Sequence, residues 1–320
     1  MKALALILTL MIGSIDPSSL LKLSCLNEDE LSLHGIKKTA IQTPRGRVVL
    51  KVEIWQERGR RAQRFLTGPL AGDRIVEIEG KVYHISPRTK TVRVSCPPPF
   101  PKRFIDLIFK NYAVKAVGEG KAAGRKAIIL EVKPIHPGNP SRRIWVDVEK
   151  AFPLKTELYS PEGRLISSSG FIEVEFDPGM NESAFEIPRG WRLLERPGFR
   201  PVRPGEKLRD LLGFEPLPLK SPPPGYVLLD MLVNLNPPRP ILQIRYTDGL
   251  NQISVFERLK PPRMMRRRGR WSFMRRWRGP RGCMMVVPHP QLHISVVGDV
   301  SEELLRRVVE ESFSLPRARK

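Results

Sequence analysis

Alternation of apolar and polar residues runs through the first part of the chain and predicts antiparallel strands. In RVVLKVEIWQE (47–57) one face carries aliphatic side chains: Val48, Leu50, Val52 and Ile54. Lys51, Glu53 and Trp55 lie on the other face. Glu79-Gly80 predicts a turn inside DRIVEIEGKVYHIS, and TKTVRVS predicts one more strand. The prolines between 97 and 101 then end this meander.

A helical pattern follows these prolines. RFIDLIFKNYA places Phe104, Leu107, Ile108 and Tyr112 at helical intervals, which predicts one amphipathic helix. Strands then resume, with short connections: YAVKAVGEG, GRKAIILEVKP, RRIWVDVE, PLKTELYS and GRLISSSGFIEVEF. GEGKAAGR (118–125) lacks the GK[ST] of a phosphate loop and is predicted to be a hairpin connection. We therefore predict an α+β fold for residues 30–180, a curved antiparallel half-barrel sheet with a covering helix.

Proline changes the character of the chain at residues 188–224, which we predict to be an interdomain connection with a short helix at KLRDLLGF. Residues 225–315 predict a smaller antiparallel α+β domain. Its last helix begins at Ser301, an N-cap residue, and carries Glu302 and Glu303 in its first turn.

The stretch YTDGLNQISVFE in this second domain predicts a hairpin. A two-residue type I′ turn at Asp248-Gly249 is the expected connection, because Asp-Gly favours positive φ at both central positions. Counting outward from this turn pairs Tyr246 with Asn251, Ile244 with Ile253 and Leu242 with Val255. One face of the hairpin is then apolar, while the other carries Arg245, Gln252, Gln243 and Ser254.

The chain carries a large excess of positive charge. The chain has 55 Lys+Arg against 33 Asp+Glu, a formal net charge of +22, which indicates an anionic partner or a highly charged solvated surface. The densest segment is RMMRRRGRWSFMRRWRGPRG (263–282), where arginine alternates with aromatic residues. We take it as a candidate loop for an anionic partner, with a solvated loop as the alternative. Its candidate residues are Arg266, Arg267, Arg268, Arg270, Trp271, Arg275, Arg276 and Trp277.

The N-terminus, MKALALILTLMIGSI, has the length of a signal-peptide core, and residues 1–25 are predicted to be a signal segment. The alternatives are lipid attachment at Cys25 and a buried N-terminal strand or helix. The other cysteines, Cys96 and Cys283, are expected to be separate thiols, with a bridge between them as the alternative if the chain is exported.

Sequence signatures of catalysis are absent. The histidines are scattered without a metal-binding pattern, and there is no nucleophile elbow. We expect no enzyme activity, no cofactor and no metal.

Several of these segments together resemble a known family. YTDGLNQISVFE, the basic insertion and LHISVVGDVSEELLRRVVEES resemble the C-terminal domain of the MucB/RseB family of sigma-factor regulatory proteins. Upstream, GEGKAAGR, the W-x-D strand of RRIWVDVE, PLKTELYS and GRLISSSGFIEVEF are similar to the N-terminal domain of that family. That domain shares its fold with the periplasmic lipoprotein carriers LolA and LolB. The resemblance spans residues 35–180 and 220–315.

The resemblance implies an extracytoplasmic regulator, in the periplasm or at the outer face of the cytoplasmic membrane. Its smaller domain would bind a membrane-bound anti-sigma factor and shield it from proteolysis. Lipid or lipoprotein acyl chains bound to the larger domain would release that protection in envelope stress. An anionic membrane surface is a further expected partner, whereas nucleic acid is not.

Apolar residues of the larger domain are candidates to line an acyl groove: Ile54, Phe65, Ile78, Val82, Ile129, Val132 and Phe171. Each is a core residue in the alternative interpretation. Strand register decides between the two, because a one-residue slip moves a side chain to the other face. Two other functions stay open: a lipid or lipoprotein carrier without an anti-sigma partner, and a cytoplasmic nucleic-acid binder that uses the arginine-rich loop.

Overall fold

The computed structural model describes residues 16–43, 45–98, 104–179, 181–195, 198–236, 238–261, 275–278 and 282–313. The chain divides into two compact units. The first comprises residues up to 97, 112–135 and 141–196, and the second comprises 98–111, 136–140 and 197 onward. In the described ranges, no helix has the length and apolar character needed to cross a membrane.

The first unit is built on a 12-stranded sheet in the order β12-β6-β5-β4-β3-β2-β1-β11-β10-β9-β8-β7. All neighbours are antiparallel except β12 and β6, which are parallel. The strands are β1 (Leu33–Thr43), β2 (Gly46–Glu57), β3 (Arg60–Phe65), β4 (Arg74–Ile78), β5 (Lys81–Ser86), β6 (Thr91–Ser95), β7 (Tyr112–Ala122), β8 (Arg125–Pro134), β9 (Ser141–Asp147), β10 (Pro153–Tyr159), β11 (Leu165–Phe176) and β12 (Arg192–Glu195). The helices are α1 (Pro17–Asn27) and α3 (Glu182–Phe185).

Strand β1 occupies the middle of this sheet and joins two meanders. It pairs with β2 along its whole length and with β11 from Leu33 to Ile41. The meander β2–β6 continues on one side and β11–β7 on the other. The curved antiparallel sheet predicted from the alternating pattern is therefore confirmed, with β1 as an additional central strand.

Two positive-φ turns connect strands of this sheet. Glu79 and Gly80 have φ values of 52° and 73°, as expected for the turn predicted there. Ala123 and Gly124 repeat this geometry, with φ values of 49° and 73°. GEGKAAGR is therefore a hairpin connection, and it begins as part of strand β7.

Helix α1 packs on the sheet of the first unit, where it contacts β7 and β9. The Asp16 side chain caps it by accepting the Ser19 amide at 2.9 Å, and Pro17 occupies its first turn. Leu20 and Leu21 are buried. We predicted that the helix near 104–112 would cover this sheet; that helix forms, but it belongs to the second unit, and α1 covers the sheet instead.

The second unit is built on a seven-stranded sheet in the order β13-β14-β15-β16-β19-β18-β17. The strands are β13 (Arg200–Pro201), β14 (Val227–Asn234), β15 (Ile241–Thr247), β16 (Gln252–Leu259), β17 (Arg275–Arg278), β18 (Cys283–Val287) and β19 (Leu292–Gly298). The helices are α2 (Ile105–Asn111), α4 (Leu208–Leu212) and α5 (Glu302–Ser312).

The helices of the second unit follow the sequence signals. Ser301 caps α5 by accepting the Leu304 amide at 3.1 Å, as predicted. Leu305, Val308 and Val309 of α5 join the buried core on one face of the sheet. Helix α4 forms at KLRDLLGF and ends at Gly213, whose φ of 75° closes the helix.

The hairpin β15–β16 forms, but its predicted register is wrong by two residues. Tyr246 pairs with Ile253, Ile244 with Val255 and Leu242 with Glu257. The turn is a four-residue loop, 248–251, rather than a two-residue type I′ turn, and only Gly249 in it has a positive φ. A shift of two residues leaves the faces unchanged, so the predicted apolar face is retained.

Side-chain hydrogen bonds explain the longer loop. The Asp248 carboxylate accepts the amides of Leu250 and Asn251 at 2.9 and 2.7 Å. Thr247 Oγ1 donates to the Asn251 carbonyl at 2.9 Å and accepts the Gly249 amide at 3.0 Å. Asn111 of α2 then donates to the Asp248 carbonyl at 2.9 Å, which fastens the helix to the loop.

We predict that Gly249→Val lowers the free energy of unfolding of the second unit by about 2–4 kcal/mol. Gly249 has a φ of 101°, and a Cβ there would meet the Ile108 amide nitrogen at 2.8 Å. Chemical denaturation followed by tryptophan fluorescence measures the change.

Gly205→Val is the matched control, because Gly205 has a φ of 83° with nothing within 4 Å of an added Cβ. Its free energy of unfolding should fall by about 1–2 kcal/mol, the cost of a positive φ for a residue with a Cβ, without any steric contribution. Equal losses in both variants would contradict the packing of α2 against Gly249.

Candidate functional site

One face of the 12-stranded sheet, here called the Ile54 face, carries four of the groove candidates. Gly35 pairs with Ile54, and Lys37 pairs with both Val52 and Phe171. Val52 pairs with Phe65, Arg61 on the same side of β3 pairs with Glu77, and Glu77 pairs with Val82. Because paired residues share a face, Ile54, Phe65, Val82 and Phe171 lie together on this side of the sheet.

The part of the Ile54 face near β1 and β11 is closed core. Ile54 and Phe171 are buried with Leu33, Phe152 and Leu154 in one apolar cluster. Gln56, on the same face, donates to the carbonyls of residues 28 and 31 at 2.6 and 3.1 Å, which holds the segment after α1 over it. These two candidates are therefore ordinary core residues in this structure.

The part of the Ile54 face on β3–β6 is more open. Phe65, Ile75 and Val82 are all only partly buried there. These three apolar side chains are called the apolar strip below, and they alternate on the face with the polar residues Gln63, Glu77 and His84. The buried Asp73 carboxylate accepts a hydrogen bond from Nε2 of the neighbouring His84 at 2.9 Å. Because they are partly exposed, Phe65 and Val82 are the groove candidates that the geometry favours, and their role in acyl binding stays a prediction.

The three remaining groove candidates do not lie together on one face of the sheet. Ile78 pairs with Lys81 and Arg60, so it lies on the opposite face, here called the Trp55 face. Val132 is fully buried, and Ile129, three residues away on the same strand, lies on the other side of the sheet and is partly buried. Seven apolar residues chosen without a register thus divide between two faces.

Basic side chains flank the apolar strip on the Ile54 face. Lys37 lies over the Phe171 ring, with Nζ 5.4 Å from its centre, and burial lowers the pKa of its ammonium group. The Nε atoms of Arg61 and Arg93 are buried without a hydrogen-bond partner among the described residues. These N–H groups can donate hydrogen bonds to the polar group of a bound amphiphile.

The Trp55 face is covered by α3 and the segment after it. Phe185 packs on Ala62, Val76 and Ile85 in a second apolar cluster. Arg60 holds this cover in place, since its guanidinium binds Glu57 and Glu182 and lies 4.3 Å from the centre of the Phe185 ring. A polar cavity of about 310 Å³ remains beside Trp55, lined by Glu53, Arg64, Arg74, Asn181 and Ser183.

A buried carboxylate marks the sheet of the second unit. Glu257 lies on the apolar face of β16, fully shielded from solvent. Both of its oxygens accept the Leu217 amide, at 3.1 Å each. Burial raises the pKa of this carboxyl to about 7, against the opposing effect of the Leu217 hydrogen bond.

The same sheet holds a second anchor for the proline-rich segment. The Leu219 amide donates to the Tyr246 hydroxyl at 2.9 Å, and burial raises the pKa of that phenol. Phe214 and Leu219 bury their side chains in the same core. Residues 214–219 therefore form a strap, held to β15 and β16 by two side-chain acceptors and by apolar packing.

Comparison with known proteins identifies a family domain within residues 57–189. Residues 57–189 match the family model described as MucB/RseB N-terminal domain. These residues form a MucB/RseB domain. The resemblance predicted from the sequence is thereby confirmed.

A curated relative and two solved structures add to this likeness. Sigma factor AlgU regulatory protein MucB of Pseudomonas aeruginosa is 26% identical over 149 residues, which cover 45% of this chain and 43% of that relative. The chain thus spans less than half the length of the curated relative it matches. The fold agrees with MucB in the Pseudomonas aeruginosa MucA/MucB complex, with a TM-score of 0.69 at 19% identity over 92% of this chain and 97% of that chain. A crystal structure of MucB gives a TM-score of 0.58 at 20% identity, covering 93% of this chain and 98% of that one.

The arginine-rich loop predicted to bind an anionic partner lies mostly outside the described residues, as do Arg266, Arg267, Arg268, Arg270 and Trp271. Residues 275–278 form β17, which pairs with β18 at the edge of the sheet. Arg275, Arg276 and Trp277 therefore belong to an edge strand rather than to a loop. Their role in binding stays a prediction.

Among the residues that the structure describes, thiols and metal-binding groups add no further site. Cys96 is exposed and Cys283 is buried, and both are free thiols, so the alternative bridge is not formed. The part of the chain that the structure describes contains no cluster of side chains able to hold a metal ion. His289 and His293 each have a pKa lowered by burial and by nearby cations.

We predict that stability falls as pH rises from about 5 to about 8, because Glu257 binds its proton more tightly in the folded protein than in the unfolded chain. Its contribution is complete below the unfolded pKa and is lost as pH passes through about 7. The change in unfolding free energy is on the order of 3 kcal/mol. Glu257→Gln, which still accepts the Leu217 amide, should remove most of this slope.

Urea denaturation at several pH values measures the slope. Glu303→Gln on the exposed side of α5 is the matched control and should keep the wild-type pH dependence. An unchanged slope in Glu257→Gln would contradict the assignment.

Proposed function

We propose that this protein is an extracytoplasmic regulatory protein that binds a membrane anti-sigma factor and so controls the activity of a sigma factor. One observation carries the proposal: the fold agrees over 92% of the chain with MucB in its complex with MucA. The curated MucB relative is described as a sigma factor regulatory protein, which supports the regulatory part. The proposal assigns the chain no catalytic role.

Residues 1–15 are proposed to direct export, with α1 retained in the mature protein. The predicted signal segment extended to residue 25, but α1 begins at Pro17 and buries Leu20 and Leu21. Cleavage after residue 24 would remove these contacts. Lipid attachment at Cys25 requires that cleavage, so we favour a mature chain that keeps Cys25 inside α1.

Lipid sensing is proposed to use the open part of the Ile54 face. Phe65 and Val82 are only partly buried there, beside Arg93. An acyl chain bound at this strip would bury apolar area that now faces water, and its polar end would lie near the buried arginine nitrogens. Lipid or lipoprotein is therefore the signal class that this surface favours.

Regulation would follow from coupling between the two ligands. A lipid changes the affinity for the anti-sigma factor only if it prefers a different conformation from the one that the partner binds. The coupling is reciprocal, so a bound anti-sigma segment must weaken lipid binding by the same factor.

A periplasmic lipid or lipoprotein carrier is the second candidate. The open apolar strip on β3–β6 favours it, since a carrier needs the same surface. Such a carrier would bind and transfer acyl ligands without an anti-sigma partner.

We predict that Phe65→Ser combined with Val82→Ser weakens binding of a fluorescent fatty-acyl probe at least about ten-fold, because the strip loses most of its apolar area. Binding of the extracytoplasmic segment of a membrane anti-sigma factor, measured by isothermal titration, should stay near the wild-type value. Adding lipid should lower that affinity in the wild type but not in the variant.

Ile78→Ser is the control, since Ile78 lies beside the same turn on the Trp55 face. It should lose stability but keep probe affinity. If the protein binds the probe but no anti-sigma segment, the carrier function is favoured. If Val82→Ser and Ile78→Ser lower the affinity for the probe equally, the proposed strip is contradicted.

The arginine-rich segment gives a separate prediction. Exchange of Arg266, Arg267, Arg268, Arg275 and Arg276 for Ser should preserve folding and weaken binding of an acidic partner segment, with a shallower salt dependence. Arg306→Ser with Arg307→Ser on α5 is the control. Unchanged partner affinity would make the segment a solvated insertion, and retained duplex DNA binding in the wild type alone would favour the nucleic-acid alternative.

A further inference from the structure

Exposed aliphatic side chains collect at one end of the 12-stranded sheet. Val48 and Val49, next to the β1–β2 turn, are 42% and 38% exposed. Leu66 and Leu70, in the loop between β3 and β4, are 37% and 38% exposed. These four residues are called the aliphatic tip below.

Backbone contacts join the two segments into one surface. The Leu66 amide donates to the Lys51 carbonyl at 2.8 Å, and the Lys51 amide donates to Thr67 Oγ1 at 2.9 Å. The turn itself is fixed, because Thr43 Oγ1 donates to the Gly46 carbonyl at 2.7 Å and accepts the Arg45 amide at 3.2 Å. Val48 and Val49 are consecutive in β2, so the projecting hairpin is aliphatic on both faces.

Unpaired cations surround the aliphatic tip. They are all exposed, and in the described chain none of them forms an ion pair: Arg45, Arg47, Lys51, Arg88 and Lys90. Arg88 donates to the Pro69 carbonyl at 3.0 Å, which places the turn 87–90 beside the loop that carries Leu66 and Leu70.

Acidic groups are missing from this end or already engaged. Segments 41–51, 66–72 and 87–91 contain no Asp or Glu. Asp73 is buried and accepts from Ser86 at 2.9 Å. On the neighbouring turn, Glu162 accepts from Ser160 at 2.7 Å and pairs with Arg164 at 3.4 Å. The field at the tip is therefore positive and uncompensated.

We propose that the aliphatic tip docks on an anionic lipid bilayer, with its aliphatic side chains among the headgroups and the surrounding cations against lipid phosphates. Aliphatic residues surrounded by Lys and Arg bind membrane surfaces in two ways: the aliphatic side chains are buried among the headgroups, and the cations are attracted to anionic lipids. Phe65 directly precedes Leu66, so the open apolar strip adjoins the tip. The docked protein would thus present this strip to the bilayer from which an acyl ligand comes.

The test is flotation of the full chain with vesicles of phosphatidylcholine, with and without phosphatidylglycerol. Arg47→Ser with Lys51→Ser should lower partition on anionic vesicles about five-fold per charge removed, and raised salt should reduce this difference. Val48→Ser with Leu70→Ser should lower partition at every salt concentration. All variants keep residues 1–15, so any contribution of that apolar segment is common to them.

Two control variants match these changes. Lys121→Ser with Lys126→Ser removes exposed cations at the opposite end of the sheet, and Leu228→Ser removes a side chain that is 47% exposed in the second unit. Both should float like the wild type. Wild-type partition of the tip variants, or equal loss in tip and control variants, would overturn the proposal.

Loss of binding only when the arginines at 266–268 are replaced would also overturn it, because the membrane contact would then lie in that segment. Anti-sigma binding by the tip variants, measured in solution, should be unchanged. Failure of the membrane proposal is therefore separable from failure of the proposed regulatory function.

Discussion

Pairing of β1 with two strands is the constraint on which the first unit depends. It bonds to β2 on one side and β11 on the other, and without it the two meanders would be separate sheets. Gly35 makes this possible, since a Cβ there would meet the Phe171 ring at 2.9 Å. A register shift between Ile36 and Lys37 lets Phe171 face the same side as Ile54. The closed core on the Ile54 face follows from these two local features.

The second unit depends on a comparable local arrangement at the loop 248–251. Asn111 donates to the carbonyls of Gly225 and Asp248, at 2.8 and 2.9 Å, so a single side chain joins α2 to two loops. Asn111 is buried, and its amide hydrogens are expensive to leave unpaired. This requirement ties the position of α2 to the conformation of the hairpin. A two-residue turn would have moved the Asp248 carbonyl and lost the bond.

The sequence predicts the strands of strong alternation and the capped helix α5, because local chemistry decides both. It does not predict β1, where HGIKKTAIQT shows no alternation and Lys37 lies half-buried in mid-sheet. Asp16 followed by Pro17 is a typical start of a helix and could have predicted α1. The apolar run before these residues instead favoured a signal segment that extends through them. The prediction of a two-residue turn is correct at Glu79-Gly80 and wrong at Asp248-Gly249. The second turn is longer because the side chains of Thr247 and Asp248 form hydrogen bonds with the loop backbone. Among the groove candidates, the local register of the β4–β5 hairpin separates Val82 from Ile78, because Val82 pairs with Glu77 and Ile78 pairs with Lys81.

Burial of ionisable groups connects the architecture to the proposed function. Lys37 is half-buried in the first unit and Glu257 is fully buried in the second, and desolvation disfavours the charged form of each. Neither group is needed to build its sheet, since an apolar residue of similar size would pack there at less cost. Glu257 instead holds the strap at Leu217, in the proline-rich segment that leads into the second sheet. The strap at residues 214–219 is thus held in part by a carboxyl with a pKa of about 7, so its attachment depends on pH in the range where that group titrates.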